Sequence, residues 1–216
     1  MERKGVIIVD AAEYLLDPCG ASSLPFWKTE RTAVAPHMRV VRDAGFAPAP
    51  GERDEPYFKL IHHMRELPHA QLPPGLELVR AEPGDFARHI GECYRREGIS
   101  EAELAAYRSH PVYDPALWIA VAERETRRIV ASAIGELDLR IGEGVLEWVQ
   151  VSPDCRRRGL GRFLVCELLR RMEGRAQFVT ASGRMRNETE PLALYLACGF
   201  SDPAIWHVLT RAEEDD

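Results

Sequence analysis

Val145 to Met172 reads VLEWVQVSPDCRRRGLGRFLVCELLRRM, and the pattern changes twice along it. Val145–Val151 is rich in β-branched and aromatic residues, which predicts a strand. Ser152-Pro153-Asp154 ends that strand, because Pro153 has no N–H for a ladder and Asp154 suits a turn. Beyond Arg156-Arg157-Arg158-Gly159-Leu160-Gly161, apolar residues recur at Leu160, Leu164, Leu168 and Met172. Phe163, Val165 and Leu169 flank them, completing the stripe of an amphipathic helix. The unit is a strand, a basic glycine-containing turn and a helix.

Such a turn has a chemical use. The first N–H groups of a helix have no intrahelical partner and carry the positive end of its dipole. Glycines at 159 and 161 allow close approach to the backbone, and three arginines surround it with charge. Phosphate or pyrophosphate is the natural guest. An arginine run alone is equally a solvated turn; the glycine spacing at a strand-to-helix junction favours the anion site.

Arg156-x-x-Gly159-x-Gly161 resembles the Q/R-x-x-G-x-G/A acyl-CoA signature of the GNAT (general N-acetyltransferase) superfamily. Downstream, Asn187 and then Leu194-Tyr195-Leu196-Ala197-Cys198-Gly199-Phe200 are similar to that family's N…LY…GF segment. The resemblance runs from roughly Leu76 to Thr210. It implies an α/β (α+β) fold of GNAT type, a mixed, mostly antiparallel central sheet flanked by helices, preceded here by an N-terminal α/β extension. The expected organisation is an extension over 1–75, a catalytic domain over 76–210 and an acidic tail over 211–216.

The resemblance also implies site residues. The loop Arg156, Arg157, Arg158, Gly159, Leu160, Gly161 and Arg162 would hold the pyrophosphate of coenzyme A. Main-chain contacts to the coenzyme would come from Val149, Gln150 and Val151. The strand carrying them would splay from its neighbour, Phe178–Ala181, to admit the pantetheine arm. Asn187 would contact the pantetheine or the loop, and Tyr195 would sit near the coenzyme sulfur. Acetyl-CoA is then the acyl donor, with a small-molecule or peptide amine as acceptor in a direct ternary complex. A phenol at about pKa 10 protonating a thiolate at about 8.5 is uphill by roughly 2 kcal/mol, so a hydrogen bond to the developing thiolate suits Tyr195 better than full transfer.

A primary amine with a pKa near 10 is protonated at pH 7, and freeing its lone pair costs roughly 4–5 kcal/mol. A base or a desolvated site must supply that. Glu147 is the only carboxylate inside Val145–Val151. Period-two alternation puts it on one face with Val145, Val149 and Val151. It is therefore a candidate general base, with an exposed strand-edge glutamate as the alternative. Trp148 and Gln150 face the other way, Trp148 as core. Glu136 and Asp138, at the end of the neighbouring hairpin, are weaker candidates of the same sort. Cys155 beside the loop reads as incidental.

Composition narrows the classes. The 216 residues are 45% hydrophobic and 29% charged, ordinary for a globular chain that buries a substantial core. A net charge of −6 argues against a general nucleic-acid or anionic-membrane partner. Five scattered cysteines give neither a metal pattern nor a disulfide framework. No apolar run is long enough to span a membrane and no signal peptide is evident, so a cytoplasmic monomer or homodimer without a metal is expected. A P-loop is excluded by the missing GK[ST] ending, and a dinucleotide fingerprint by the missing third glycine. A non-catalytic acyl-CoA-binding sensor or scaffold is the alternative to an enzyme.

Along the rest of the chain, Val6–Val9 is a short apolar run and Ala11–Leu16 a helical turn. Pro18 to Trp27 is turn-rich and ends in Phe26-Trp27, which would line an acceptor pocket or anchor the segment to the core. Met38–Val41 and Tyr57–Ile61 read as strands, separated by a Pro/Gly/acidic stretch over 47–56. His62-His63 reads as an exposed strand end. Gln71-Leu72-Pro73-Pro74-Gly75 marks a boundary. Leu76–Val79 is a strand, a helix follows Glu82-Pro83, and Ser100-x-x-Glu103 opens another with a capping-box pattern. Trp118–Ala122 and Ile129–Leu137 form a hairpin, Phe178–Ala181 a strand, and Glu190-Pro191 starts a short helix that ends at Gly199. Ala204–Leu209 closes the sheet.

Overall fold

A computed structural model describes residues 11–20, 38–42, 46–94, 98–187 and 189–211. Phe26, Trp27, Val6–Val9 and the tail beyond Arg211 lie outside the described residues. In chain order the elements are α1 (Ala11–Leu16), β1 (Met38–Arg42), β2 (Glu52–His62), β3 (Leu76–Val79), α2 (Pro83–Cys93) and α3 (Glu101–Tyr107). They continue with β4 (Trp118–Glu123), β5 (Ile129–Asp138), β6 (Glu143–Val151), α4 (Leu160–Met172), β7 (Phe178–Arg184), α5 (Pro191–Ala197) and β8 (Ser201–Arg211). The architecture is the expected mixed α/β class, antiparallel strands flanked by helices. No helix among the described residues is long and apolar enough to cross a membrane.

The chain divides into two compact units, His63–Val179 and the remainder. In His63–Val179, β3, β4, β5 and β6 pair antiparallel in that order. One face of β4 and β5 packs on α2 and α3, where Phe86, Ile90, Leu104, Ala120 and Ile134 form a buried cluster with Trp118 and Trp148 against it. α3 starts as its sequence predicts: Ser100 Oγ accepts from Glu103 N at 3.2 Å, and the Glu103 carboxylate accepts from Ser100 N at 2.8 Å.

The other face receives α4. Its predicted stripe, Leu160, Phe163, Leu164, Val165, Leu168, Leu169 and Met172, is buried throughout. The close approach depends on a glycine: a Cβ at Gly135 would come within 2.9 Å of Met172 Cε. Arg170 and Arg171 in the last turn of α4 both bond Glu167, placing cations at the negative end of the helix.

The second unit interleaves both ends of the chain. β8 lies between β1 and β2, antiparallel to both. β2 is longer than the expected Tyr57–Ile61, because the acidic stretch Glu52–Pro56 is also strand. Its charges are matched by residues distant in sequence. Arg39 on β1 bonds Glu52 at 2.7 Å, His207 on β8 meets Asp54 at 2.8 Å, and Arg184 reaches Glu55 at 3.0 Å. Phe58 and Leu60 of β2 are fully buried. His62 is also a correction. It is 2% exposed and tilts against Phe200; only His63 is exposed.

Candidate active site

The basic loop starts where β6 leaves its sheet. Ser152 N still bonds Val130 C=O at 2.9 Å, which continues the β5–β6 register by one more pair. A short 3-10 turn, Pro153–Cys155, follows. Asp154 takes two bonds from Arg128, at 2.6 and 3.3 Å, which tie the turn to the β4–β5 hairpin.

Arg157 (φ 61°) and Gly159 (φ 84°) then both adopt left-handed backbone, and α4 begins at Leu160. A Cβ at Gly159 would meet nothing within 4 Å, so glycine is required there for conformation and not for space. Left-handed residues in such a turn direct successive N–H groups to one side. Together with the first N–H groups of α4, which a helix leaves without intrahelical partners, this is backbone of the kind that can hold an anion. Arg157, Arg158 and Arg162 are exposed beside it, while Leu160 is buried.

Arg156 has a different part. Its Nε donates to Val151 C=O at 3.3 Å and its Nη2 to Cys93 C=O at 3.5 Å. It braces the end of β6 to the end of α2.

Behind the loop lies a buried polar row that sequence reading did not single out. His89 of α2 places Nδ1 2.8 Å from Ser132 Oγ on β5 and Nε2 3.0 Å from Ser152 Oγ. Gln150 Nε2 donates to Ser132 Oγ at 2.5 Å. The available signal was a histidine on the apolar stripe Phe86–His89–Ile90. Burial, with the Arg128 charge adding to it, pushes the His89 imidazole down to about 4.

The consequence for stability has a definite sign. An unfolded histidine titrates near 6.5, so between about pH 6.5 and 4 the unfolded chain binds a proton that the folded chain refuses. The stabilisation is complete above about pH 6.5 and is lost as pH falls toward 4, by at most about 1.4 kcal/mol per pH unit. In urea titrations from about pH 6.5 to 4.5, wild type should lose about 2 kcal/mol more than His89→Gln. Parallel losses would mean that His89 is already protonated in the folded chain.

β6 also departs from simple alternation. Ile134 pairs with Trp148 and Gly135 with Leu146, which leaves Glu147 as the extra residue of a β-bulge. The expected face of Val145, Val149 and Val151 is therefore corrected. Val149 and Val151 pair with Ala133 and Ala131, whereas Val145 pairs with Glu136 and takes the Trp148–Gln150 side. One inserted residue shifts the phase of a period-two pattern. Trp148 packs on the α2–α3 core, as read from sequence. Glu147 is half-buried.

Two of the residues expected to make main-chain coenzyme contacts already receive side-chain donors at their carbonyls. The Tyr94 hydroxyl reaches Val149 C=O at 3.4 Å, and Arg156 reaches Val151 C=O. Among the weaker carboxylates, Asp138 is held by Arg140 at 2.9 Å. Burial alone would raise its pKa, but the Arg140 guanidinium and backbone N–H keep it below the ordinary range, so it is already committed as an anion. Glu136 is buried and faces Val145 across the ladder.

Val149–Val151, Glu147 and the loop 156–162 thus gather along one strand and its outlet. Tyr195 and Asn187 belong to the second unit. Tyr195 on α5 is 6% exposed and stacks edge-on against Phe58 and Phe200, with ring centroids 6.0 and 5.4 Å away. Asn187 Oδ1 accepts from Thr189 N at 3.0 Å and Thr189 Oγ1 at 2.8 Å, organising the turn before α5. Among the described residues no group of three or more His, Cys, Asp or Glu could hold a metal ion.

Residues 115–202 match the family model described as an acetyltransferase (GNAT) domain. No curated protein matches the sequence. A GCN5-related N-acetyltransferase from Sphaerobacter thermophilus is similar in structure, with a TM-score of 0.62 at 18% identity over 83% of this chain and 61% of that one. A GNAT-family protein from Novosphingobium aromaticivorans has a TM-score of 0.54 at 16% identity, over 82% of this chain and 74% of that one. A Drosophila protein matches with a TM-score of 0.59 at 19% identity, over 76% of this chain and 53% of its own length. This chain thus spans between about half and three quarters of the length of these neighbours.

Proposed function

We propose, from the premise that this chain carries an acetyltransferase domain of the GNAT superfamily over residues 115–202, that it transfers an acetyl group from acetyl-CoA to a primary amine. The observation that carries this reading is the loop in which Arg157 and Gly159 turn left-handed directly before α4. Its N–H groups and the exposed Arg157, Arg158 and Arg162 suit a diphosphate better than any neutral ligand.

The reaction adds the amine nitrogen to the thioester carbonyl and expels the coenzyme thiolate. Negative charge gathers on the carbonyl oxygen at the transition state. Glu147 takes the ammonium proton before attack, directly or through a water. The likeness of Leu194–Phe200 to the family's LY…GF segment supports a hydrogen bond from Tyr195 to the departing thiolate. No cysteine is needed as an acyl carrier, because the amine attacks the thioester in a ternary complex.

The test is thiol release from acetyl-CoA across a panel of small amines and peptides with free N-termini. Binding of acetyl-CoA without release on any amine would replace the enzyme by a sensor. Arg158→Glu should weaken coenzyme A binding by about 2 kcal/mol, the scale of a lost charge-assisted contact. Calorimetry that finds an unchanged affinity would remove the loop from the site.

A further inference from the structure

The buried row behind the loop ends on the residue where β6 turns away from its sheet. Ser132 is fully buried, while His89 is 2% and Ser152 3% exposed, so solvent does not satisfy these groups. A neutral imidazole offers one donor and one acceptor. Ser132 Oγ accepts from Gln150 Nε2 at 2.5 Å and lies 2.8 Å from His89 Nδ1. The other ring nitrogen, Nε2, lies 3.0 Å from Ser152 Oγ and 3.6 Å from Cys93 Sγ. The row Gln150, Ser132, His89, Ser152 is continuous, from β6 through β5 and α2 to the start of the loop.

Ser152 is also held by its backbone, through Val130 C=O at 2.9 Å on one side and Cys155 N at 2.8 Å on the other. It ends the extended chain at φ −49° and ψ 136°. Arg156 ties the same place to α2 through Cys93 C=O. α2 thus grips the loop twice, once through a neutral ring and once through a guanidinium, and both grips precede the left-handed Arg157. A rotation of the chain at Ser152 would carry every following N–H of the cradle with it.

We propose that His89 is a positioning residue for the diphosphate cradle, acting through Ser152 on the N–H groups that open α4. This inference rests on the coenzyme reading above. It distinguishes His89 from a histidine that merely fills the core. A filling residue changes stability, whereas a positioning residue changes affinity for the diphosphate part of the ligand alone.

The experiment measures Kd for coenzyme A and for pantetheine, which lacks the nucleotide and the diphosphate, by calorimetry on the full chain. Wild type is compared with His89→Phe, which removes both ring nitrogens, His89→Gln, which keeps a donor and an acceptor, and Ser152→Ala, which removes only the hydroxyl. In His89→Phe and in Ser152→Ala, coenzyme A should bind about tenfold more weakly, the scale of one misplaced charge-assisted contact. The double variant should be no weaker than either single one, and pantetheine should bind as to wild type. His89→Gln should restore most of the loss. If His89→Phe does not fold, Ser152→Ala carries the same comparison. Wild-type affinity for coenzyme A in folded His89→Phe or Ser152→Ala overturns the proposal, and so does an equal loss for both ligands. A wild-type chain that binds no coenzyme A overturns the underlying coenzyme reading instead, and this inference falls with it.

Discussion

A chain shortened to begin at Leu76 is expected to lose its second compact unit and, with it, the proposed acetyl transfer. The resemblance to acetyltransferases starts near that residue, so Leu76 looks like the natural start of a minimal domain. The sheet says otherwise. β8 is paired on one side with β1 and on the other with β2, a strand of eleven residues, and both partners lie before Leu76. Phe58, Leu60 and Ile61 of β2 are buried, and Phe58 packs edge-on against Tyr195. At about 1.5–3 kcal/mol for each large apolar side chain, these three alone amount to roughly 5–9 kcal/mol. That is comparable to the entire stability of an ordinary domain, about 5–15 kcal/mol. Removing them also bares Trp206, Val208 and Leu209 on an unpaired strand, which invites aggregation. The shortened chain should be insoluble or melt without a cooperative transition. A soluble product with a sharp melt and wild-type turnover would show that β1 and β2 are dispensable.

The second large effect is expected at Glu147. At neutral pH the acceptor amine is protonated, and a positioned base contributes about 10²–10⁴-fold. Glu147→Gln should lower kcat/KM by about 100-fold or more near pH 7. The deficit should narrow as pH rises toward the amine pKa of about 10, where the nucleophile is already free. The side chain is half-buried at a bulge and not part of the buried cores, so melting temperature should change little. The bulge strengthens the expectation, since such irregularities re-aim a side chain beside a site. Full activity of the variant at neutral pH would assign proton removal to another group or to water alone. Full activity with a lowered melting temperature would make Glu147 structural.

The loop and its helix were legible in sequence because their determinants are local. A run of β-branched residues, a proline and a 3.6-residue stripe lie within Val145–Met172, and each acts over a few residues. The left-handed Gly159, the capping box at Ser100 and Glu103, and the left-handed Gly199 after α5 are likewise set within a turn of chain. Local chemistry therefore also placed most of the other strands and helices.

What only the tertiary structure decided depends on partners far apart in sequence. The bulge at Glu147 exists only in the register of β6 against β5, and nothing within β6 announces it. Glu52–Pro56 looks like a loop because its charges lack partners locally; Arg39, Arg184 and His207 supply them from other strands. His62 looks exposed until Phe200 and Gly199 cover it. His89 is an ordinary histidine on a helix until folding desolvates it between two serines from β5 and the end of β6. Turns and periodicity are properties of neighbouring residues, and so the sequence alone determined them. Register, desolvation and ion pairing are properties of residues brought together by folding, and so only the tertiary structure could decide them.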